Sequence, residues 1–274
     1  MSAKPYSITM MNGTTITVLF GEATADQQIK CYTLAVSAWG SYLDGDEVTA
    51  REKHLSAQAL ARDGGCRTWC VYRQDDHGQV LSTCKTMHRD LILRNTENVR
   101  EVEGYCITSV YTALLYRGHG LATYMLQNVT RWLDGPGEAT VSVLYSGIPH
   151  FYKNLGWAAL PNTEIISGNS PWLQDVLGPY ADLKVCTLSD AGIEELCAQD
   201  IKMLRADAHR REVIRNGSRL TVLPTADLVR HQHALSDYMG DLWHGEAPKN
   251  RGAAYKDQAW LYWYHDFRGQ SLYI

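Results

Sequence analysis

The segment at 117–122 reads Arg-Gly-His-Gly-Leu-Ala and limits the possible folds of this chain more than any other stretch. Residues 105–114 before it are rich in β-branched, aromatic and apolar types and contain no glycine or proline, which is typical of a strand. After it, apolar side chains recur at roughly helical spacing as far as the glycine-proline stop at 134–137. A strand, a glycine-rich turn and a helix in this order present backbone N–H groups and the positive end of a helix to a phosphate. The segment therefore predicts an anion-binding loop, to which Arg117 adds a positive charge.

The same loop also fits a plainer interpretation, in which the glycines only allow a tight connection between a strand and a helix. The two common nucleotide-binding motifs do not decide between these interpretations, because neither is present. The chain contains no GxxxxGK[ST] segment, and Thr123 stands where the third glycine of GxGxxG would fall.

A second segment favours the ligand-binding interpretation. Residues 139–145 predict a strand, and residues 149–157, Pro-His-Phe-Tyr-Lys-Asn-Leu-Gly-Trp, predict a short helix that ends at a glycine. Together with the glycine loop, and in this order, these segments resemble the core of the GNAT superfamily of acyl-CoA-dependent N-acyltransferases. The resemblance implies an α/β (α+β) fold, in which a mixed central sheet is flanked by helices. It also implies acetyl-CoA, or another acyl-CoA, as co-substrate and no metal.

The resemblance assigns roles on the CoA side. In the family the glycine loop holds the CoA pyrophosphate, and the pantetheine lies between two splayed strands near Val110 or Tyr111, whose backbone N–H groups polarise the thioester carbonyl. The residues assigned to the loop are Arg117, Gly118, His119, Gly120, Leu121 and Ala122. Tyr152 takes the position of the general acid that protonates the departing thiolate, since a phenol with a pKa near 10 can donate to a sulfur with a pKa near 8.5. The alternative role for Tyr152 is a buried aromatic that packs its helix on the sheet.

The amine side is less constrained. We expect the catalytic base among residues near strand ends, with Glu103 and His88 as the leading candidates. Asp90 lies near such a strand end as well, Glu101 is a weaker choice, and the proton could instead leave through a chain of water molecules. Lys85 and Tyr145 are the candidate substrate-binding residues.

A narrower resemblance links the chain to the fungal lysine N-acetyltransferases of lysine catabolism. It rests on residues 81–86, 107–110 and 142–146, and on two segments near the C-terminus. Lys85 and Gly147 depart from it, because that group tends to carry an acidic residue at each position. The acyltransferase class therefore carries over to this chain, whereas specificity for free lysine does not.

The sequence divides into a predicted catalytic domain at 1–165, a linker at 166–185 and a C-terminal α/β lobe at 186–274 that completes the substrate side. In the lobe, Ser189 and Thr225 are predicted helix caps, and Asn216-Gly217 separates two strand-like runs. His231-Gln232-His233 is predicted to lie on an exposed helix face, without partners at metal-ligand spacing.

Composition excludes several function classes. The chain has 26 basic and 30 acidic residues and no cluster of lysine and arginine, which argues against nucleic acid as a partner. No apolar run reaches the length of a membrane span. The seven cysteines are scattered without CxxC spacing, so we expect free thiols in the cytoplasm.

The leading prediction is a cytoplasmic acetyl-CoA-dependent N-acetyltransferase. It would acylate a small-molecule amine, a lysine-like amino acid or a specialised metabolite, by direct transfer in a ternary complex. The alternative is a catalytically weak CoA-binding protein with a sensor or structural role. Acetylation of proteins is disfavoured, because no acidic residue stands out on the strand before the glycine loop and no peptide-docking feature is visible.

Overall fold

A computed structural model describes residues 3–36, 43–160, 184–210, 218–256, 259–267 and 271–273. The predicted linker at 166–185 falls outside these ranges except for its last two residues. The predicted turn at Asn216 and Gly217 lies outside them as well. The division of the chain into two domains with a linker thus stays a prediction.

The centre of the fold is a seven-stranded mixed sheet. Its first six strands in spatial order are β1 (Tyr6–Thr9), β2 (Thr15–Glu22), β3 (Cys66–Arg73), β4 (Val80–Arg94), β5 (Val99–Thr112) and β6 (Val141–Val143). The chain continues with β7 (Cys186–Leu188), which lies elsewhere, and β8 (Arg219–Val222), which pairs with β4. Neighbouring strands run antiparallel except β5 and β6, which are parallel. The predicted hairpins around Asn12-Gly13 and residues 75–78 are both present.

Helices cover both faces of this sheet. They are α1 (Ala25–Val36), α2 (Gly45–Ser56), α3 (Leu121–Asp134), α4 (Pro149–Lys153), α5 (Ile193–His209) and α6 (Ala226–His244). On one face, α3 packs its apolar stripe against Trp69 and the main core. On the other, Cys31 of α1 packs against Cys70. Trp69 and Cys70 are adjacent in β3 and point to opposite faces, so the two helices lie on opposite sides of the sheet.

The sheet opens at the end of β5. Strands β5 and β6 pair only where residues 104–106 face 141–143, and the two strands separate beyond Cys106. In the same region the register of β5 against β4 slips, because Lys85 faces Thr108 whereas Thr83 faces Tyr111. The one extra residue of β5 forms a bulge, in which Ser109 has a positive φ of 55°. The bulge and the separation leave one side of β5 without a strand partner among the described residues.

Residues after 184 build on this sheet and also extend it. Strand β8 pairs with residues 91–94 of β4, on the edge that β3 leaves after Met87. The remaining strands form a small sheet of β7, β9 (Gly252–Tyr255) and β10 (Ala259–Tyr262), and a hairpin of β11 (Tyr264–Asp266) and β12 (Ser271–Tyr273). Arg251, 5% exposed, joins this region to α6 and the turn before α5 through ion pairs with Asp237 and Asp190.

Three predictions for the C-terminal lobe have clear outcomes. Thr225 caps α6, accepting a hydrogen bond from the backbone N–H of Leu228 at 3.3 Å. Ser189 does not cap a helix with its side chain: it precedes a short 3-10 turn, and α5 starts only after Gly192. The exposed face predicted for His231 and His233 is wrong, because both are buried where α6 packs against its neighbours.

Within the described ranges, no helix combines the length and the apolar character needed to cross a membrane.

Candidate active site

The glycine loop lies between the end of β5 and the start of α3. Gly118 and Gly120 both have positive φ, +82° and +78°, a conformation that glycine adopts without steric cost. The backbone N–H groups of residues 118–122 find no acceptor among the described residues. Gly118 is open to solvent, with nothing within 4 Å of where a Cβ would stand. The loop thus presents free N–H donors next to the positive end of a 14-residue helix, a suitable site for a phosphate.

The loop is supported by β1, and no pattern in the sequence had predicted this contact. The hydroxyl of Tyr6 donates to the carbonyl oxygen of His119 at 3.2 Å, and its ring stacks on Tyr124 with centroids 5.0 Å apart. The Tyr6 hydroxyl would also lie 2.9 Å from a Cβ at Gly120. Gly120 is therefore required both by its backbone angle and by this contact.

Arg117 is anchored beside the loop. Its Nε donates to the carbonyl oxygen of Thr112 at 3.0 Å, and its guanidinium lies 4.9 Å from the centre of the Tyr111 ring. Both contacts are to the last two residues of β5, and the Arg117 side chain is exposed. The terminal nitrogens of Arg117 make no ion pair with the described residues, which leaves a positioned cation next to the free N–H groups.

Tyr152 lies at the opening between β5 and β6. It is 8% exposed and packs edge-on against Phe151 and Trp157, with ring centroids 5.1 and 6.1 Å apart. The same residue belongs to the main core and borders a large cavity, so its two predicted roles are compatible. Burial raises the pKa of the Tyr152 phenol, and the nearby Cys84 raises it further. The phenol thus stays protonated at neutral and mildly alkaline pH, as a proton donor must.

The cavity beside Tyr152 has a volume of about 750 Å³. One wall is formed by α1, α2 and the face of β4 that carries Lys85. A second is formed by β5 around Val110 and by the segment that carries Tyr145. The third comes from α6 and β11, far along the chain. The cavity is the size of a small-molecule binding site.

Lys85 and Tyr145 both line this cavity, at different depths. Tyr145 is 86% exposed and stands at the rim. Lys85 lies deeper, with 19% of its side chain exposed, and forms a close ion pair with Glu52 of α2, which also pairs with Arg51 at 2.7 Å. Burial would lower the pKa of Lys85, but the charge of Glu52 outweighs it and raises that pKa. For Glu52, burial is likewise outweighed by Lys85 and Arg51, which lower its pKa. Both groups are therefore charged at neutral pH.

The structure does not bring the two candidate bases to this cavity. His88 lies three residues after Lys85 on β4 and so points to the opposite face, where its ring contacts Tyr105 under α3. Glu103 is exposed on that same face, 3.5 Å from His88. His88, together with the further candidate Asp90, lines a separate open depression of about 610 Å³. These residues lie on the face of the sheet opposite to Lys85, and none of them lines the cavity that Tyr152 borders, so the geometry does not favour any of them as the base.

A buried histidine from the C-terminal lobe lines the cavity instead. His231 of α6 is 9% exposed, and its Nδ1 has no hydrogen-bond partner among the described residues. Burial and the charges of Arg89 and Lys85 lower its pKa to about 4, so the ring is neutral at pH 7. One pattern in the sequence indicates this position: residues 228, 231, 232 and 235 lie on one helical stripe with apolar neighbours.

Comparison with known protein families gives matches over most of the chain. Residues 25–160 match the model of the acetyltransferase (GNAT) domain, and residues 178–274 match that of the LYC1 GNAT-like C-terminal domain. No curated protein sequence matches the chain significantly.

Among solved structures, a GCN5-related N-acetyltransferase from Kribbella flavida has a TM-score of 0.53 at 15% identity, over 91% of this chain and 54% of that one. An acetyltransferase from Trypanosoma brucei has a TM-score of 0.40 at 18% identity, over 55% and 99% of the two chains. The aminoglycoside antibiotic 6'-N-acetyltransferase from Acinetobacter baumannii has a TM-score of 0.41 at 12% identity, over 56% and 99%.

The Kribbella structure supports the fold, and the predicted mixed sheet flanked by helices is confirmed. The family models support the chemistry. The chain is thus an acyltransferase, built from a GNAT acetyltransferase domain and a LYC1-like GNAT C-terminal domain.

Proposed function

We propose that this acyltransferase is an acetyl-CoA-dependent N-acetyltransferase that acylates a small-molecule amine by direct transfer in a ternary complex. The observation that carries the proposal is the path along β5. From the cavity at Val110, the chain passes through the end of β5 and a short turn at 114–116 to the glycine loop at 117–122. The side of β5 that faces the gap toward β6 has no strand partner among the described residues there. A long, narrow co-substrate can lie along that path, with its phosphates at one end and its reacting atom at the other.

On the CoA side, the loop residues Arg117, Gly118, His119, Gly120, Leu121 and Ala122 would hold the pyrophosphate. Their free N–H groups and the anchored Arg117 guanidinium fit two negative charges. Acetyl-CoA would supply the thioester. Backbone N–H groups at the bulge near Val110 and Tyr111 would hold the carbonyl oxygen and stabilise the negative charge that develops on it.

During transfer, the amine nitrogen bonds to the carbonyl carbon, the carbon–sulfur bond breaks, and the sulfur leaves with the electron pair. Tyr152 donates its phenol proton to that sulfur and later recovers a proton from solvent. The raised pKa of Tyr152 supports this role, since the phenol holds its proton until it is needed. The proton of the attacking amine leaves through water in the cavity, because neither His88 nor Glu103 is brought there.

The acceptor would bind in the cavity, whose third wall is formed by α6 and β11. In this proposal residues 1–165 carry the CoA side and residues 186–274 complete the acceptor side. The volume of the cavity fits an acceptor of the small-molecule kind, a lysine-like amino acid or a specialised metabolite. The seven cysteines are all free, which fits the reducing environment of the cytoplasm.

The test is the release of free thiol from acetyl-CoA by the full chain, with a panel of amines headed by L-lysine and with no amine as the blank. Turnover that requires an added amine supports the proposal. Tight binding of acetyl-CoA without turnover on any amine would contradict it and favour a CoA-binding protein without catalytic activity.

A further inference from the structure

The charged side chains that line the cavity are unequal in sign. The cations are Arg51, Lys85 and Arg89, and the carboxylates are Glu52 and Asp266, so three positive charges face two negative ones among the described residues. The His231 ring, with a pKa of about 4, is neutral at pH 7 and adds no positive charge. Burial also lowers the pKa of His265. The described wall of the cavity therefore carries one uncompensated positive charge.

The imbalance is concentrated on the wall formed by α2 and β4. Arg51 and Lys85 share the single carboxylate of Glu52, which can neutralise only one of them. The Nε of Arg51 is buried and has no acceptor within the described part of the chain.

Arg89 lies four residues after Lys85 and points to the same face of β4. Its Nη1 donates to the backbone oxygen of His88 at 2.7 Å, and no carboxylate of the described ranges comes within ion-pair distance of it. Burial is the main cause of the lowered pKa of His231, and the nearby charges of Arg89 and Lys85 lower it further.

Building on the function proposed above, we propose that the acceptor carries one amine and one anionic group, and no second cation. The anionic group would be held beside Arg89 and Arg51. An amino acid with an uncharged side chain has this chemistry, and so does an aminoalkyl phosphate. Apolar residues of the same cavity, Leu55, Met87 and Met239, suit a hydrocarbon side chain next to the anion.

The same charges also assist the reaction. A positive environment disfavours a further positive charge and lowers the pKa of the acceptor ammonium. A larger fraction of the bound acceptor is then the neutral amine that can attack the thioester. A diamine or a free lysine would instead bring a second cation to a wall that already has an excess of positive charge.

Binding can be tested without turnover, using reaction-product analogues and the full chain in isothermal titration calorimetry. We expect N-acetyl-L-leucine to bind at least tenfold more tightly than N-acetyl-L-leucinamide, because a charged hydrogen-bonded contact contributes about this factor or more. N-acetyl-L-lysinamide, a cation, should bind most weakly. An N-acetylated aminoethyl phosphate in the same series distinguishes a carboxylate from a phosphate as the preferred anion.

Two variants locate the effect. Arg89→Gln should reduce the preference for the anionic ligand at least threefold, whereas Arg205→Gln, on the exposed surface of α5, should leave it unchanged. Equal affinity for the leucine acid and amide, no binding of any ligand, or tightest binding of the cation would each overturn the inference. Failure of the proposed function would appear separately, as absence of thiol release with every amine while the binding preference persists.

Discussion

The hydroxyl of Tyr6, in the first strand, donates a hydrogen bond to the carbonyl oxygen of His119 in the glycine loop, 113 residues later. A second hydrogen bond links the same two regions: the hydroxyl of Tyr124 in α3 donates to the carbonyl oxygen of Lys4, just before β1, at 2.7 Å. The two rings stack between these bonds. The loop that we propose to bind CoA is thereby fixed from the side that the ligand does not approach.

Because Tyr6 contacts only one of the two loop glycines, an alanine should cost a different amount of stability at each position. Replacing Gly118 with alanine should cost about 1 kcal/mol of stability through its positive φ alone, because nothing lies near the new Cβ. Gly120→Ala has the same backbone cost and also places its Cβ 2.9 Å from the Tyr6 hydroxyl, so it should cost more. In a Tyr6→Phe background the two alanine variants should become equal. Urea unfolding of the five variants measures this; equal losses in the wild-type background would show that the contact is not restrictive.

Tyr152→Phe tests the general acid. Losing the phenol hydroxyl should lower kcat roughly a hundredfold, because proton transfer from a positioned acid typically contributes at least this much. The dissociation constant for acetyl-CoA should change little, since the ring remains in its packing against Phe151 and Trp157. Tyr255→Phe, away from the cavity, is the control. Unchanged turnover in Tyr152→Phe would limit this residue to a packing role.

The Lys85–Glu52 pair predicts an asymmetric response to mutation. Glu52→Gln leaves the largely enclosed Lys85 ammonium without a counter-charge and should destabilise the protein by about 3 kcal/mol. Lys85→Met should cost less, because Glu52 keeps Arg51 as a partner. The double variant should recover part of the loss. Chemical unfolding at pH 7 distinguishes the three, and a larger loss for Lys85→Met than for Glu52→Gln would contradict this account.

His231 predicts how stability depends on pH. Its pKa is about 4 in the folded protein, below the ordinary value near 6.5 expected in the unfolded chain. The unfolded state therefore takes up a proton first as the pH falls, so the contribution is complete above pH 6.5 and is lost progressively toward pH 4. Between pH 7 and pH 5 we expect a loss of about 2 kcal/mol from this group.

Urea unfolding at the two pH values, compared with His231→Asn, isolates that contribution. The variant should lose less stability than the wild type between pH 7 and pH 5, while His150→Asn on the exposed surface of α4 should behave like the wild type. An imidazole resonance of His231 that titrates near pH 6.5 would contradict the prediction.

The local pattern predicted the elements around the motifs well, because strands, turns and helix stops are encoded by neighbouring residues. The loop, α3 and the short helix of Tyr152 all lie where glycine and apolar spacing placed them. Alternation along β4 could also have corrected one site assignment, since Lys85 and His88 are three residues apart and cannot share a face.

Other features depend on contacts between distant segments, which a single sequence does not reveal. The partner of Lys85 comes from α2, the support of the glycine loop comes from β1, and a strand after residue 218 joins the central sheet. His231 looked like part of an exposed polar triplet because the element that covers it was not predictable. These long-range pairings decide the electrostatics of the cavity, so the elements around the glycine loop were easier to predict than the lining of the cavity.

The pairing of β8 with β4 has a consequence for the order in which the chain acquires its structure. A ribosome delivers residues 91–94 well over a hundred positions before residues 219–222, so the last four residues of β4 must wait with one edge uncovered. At ordinary synthesis rates the delay lasts from several seconds to about half a minute. The glycine loop and its supporting tyrosines are complete early, whereas the third wall of the cavity, from α6 and β11, is synthesised about a hundred residues later. A nascent chain would thus complete its glycine loop before it encloses the cavity.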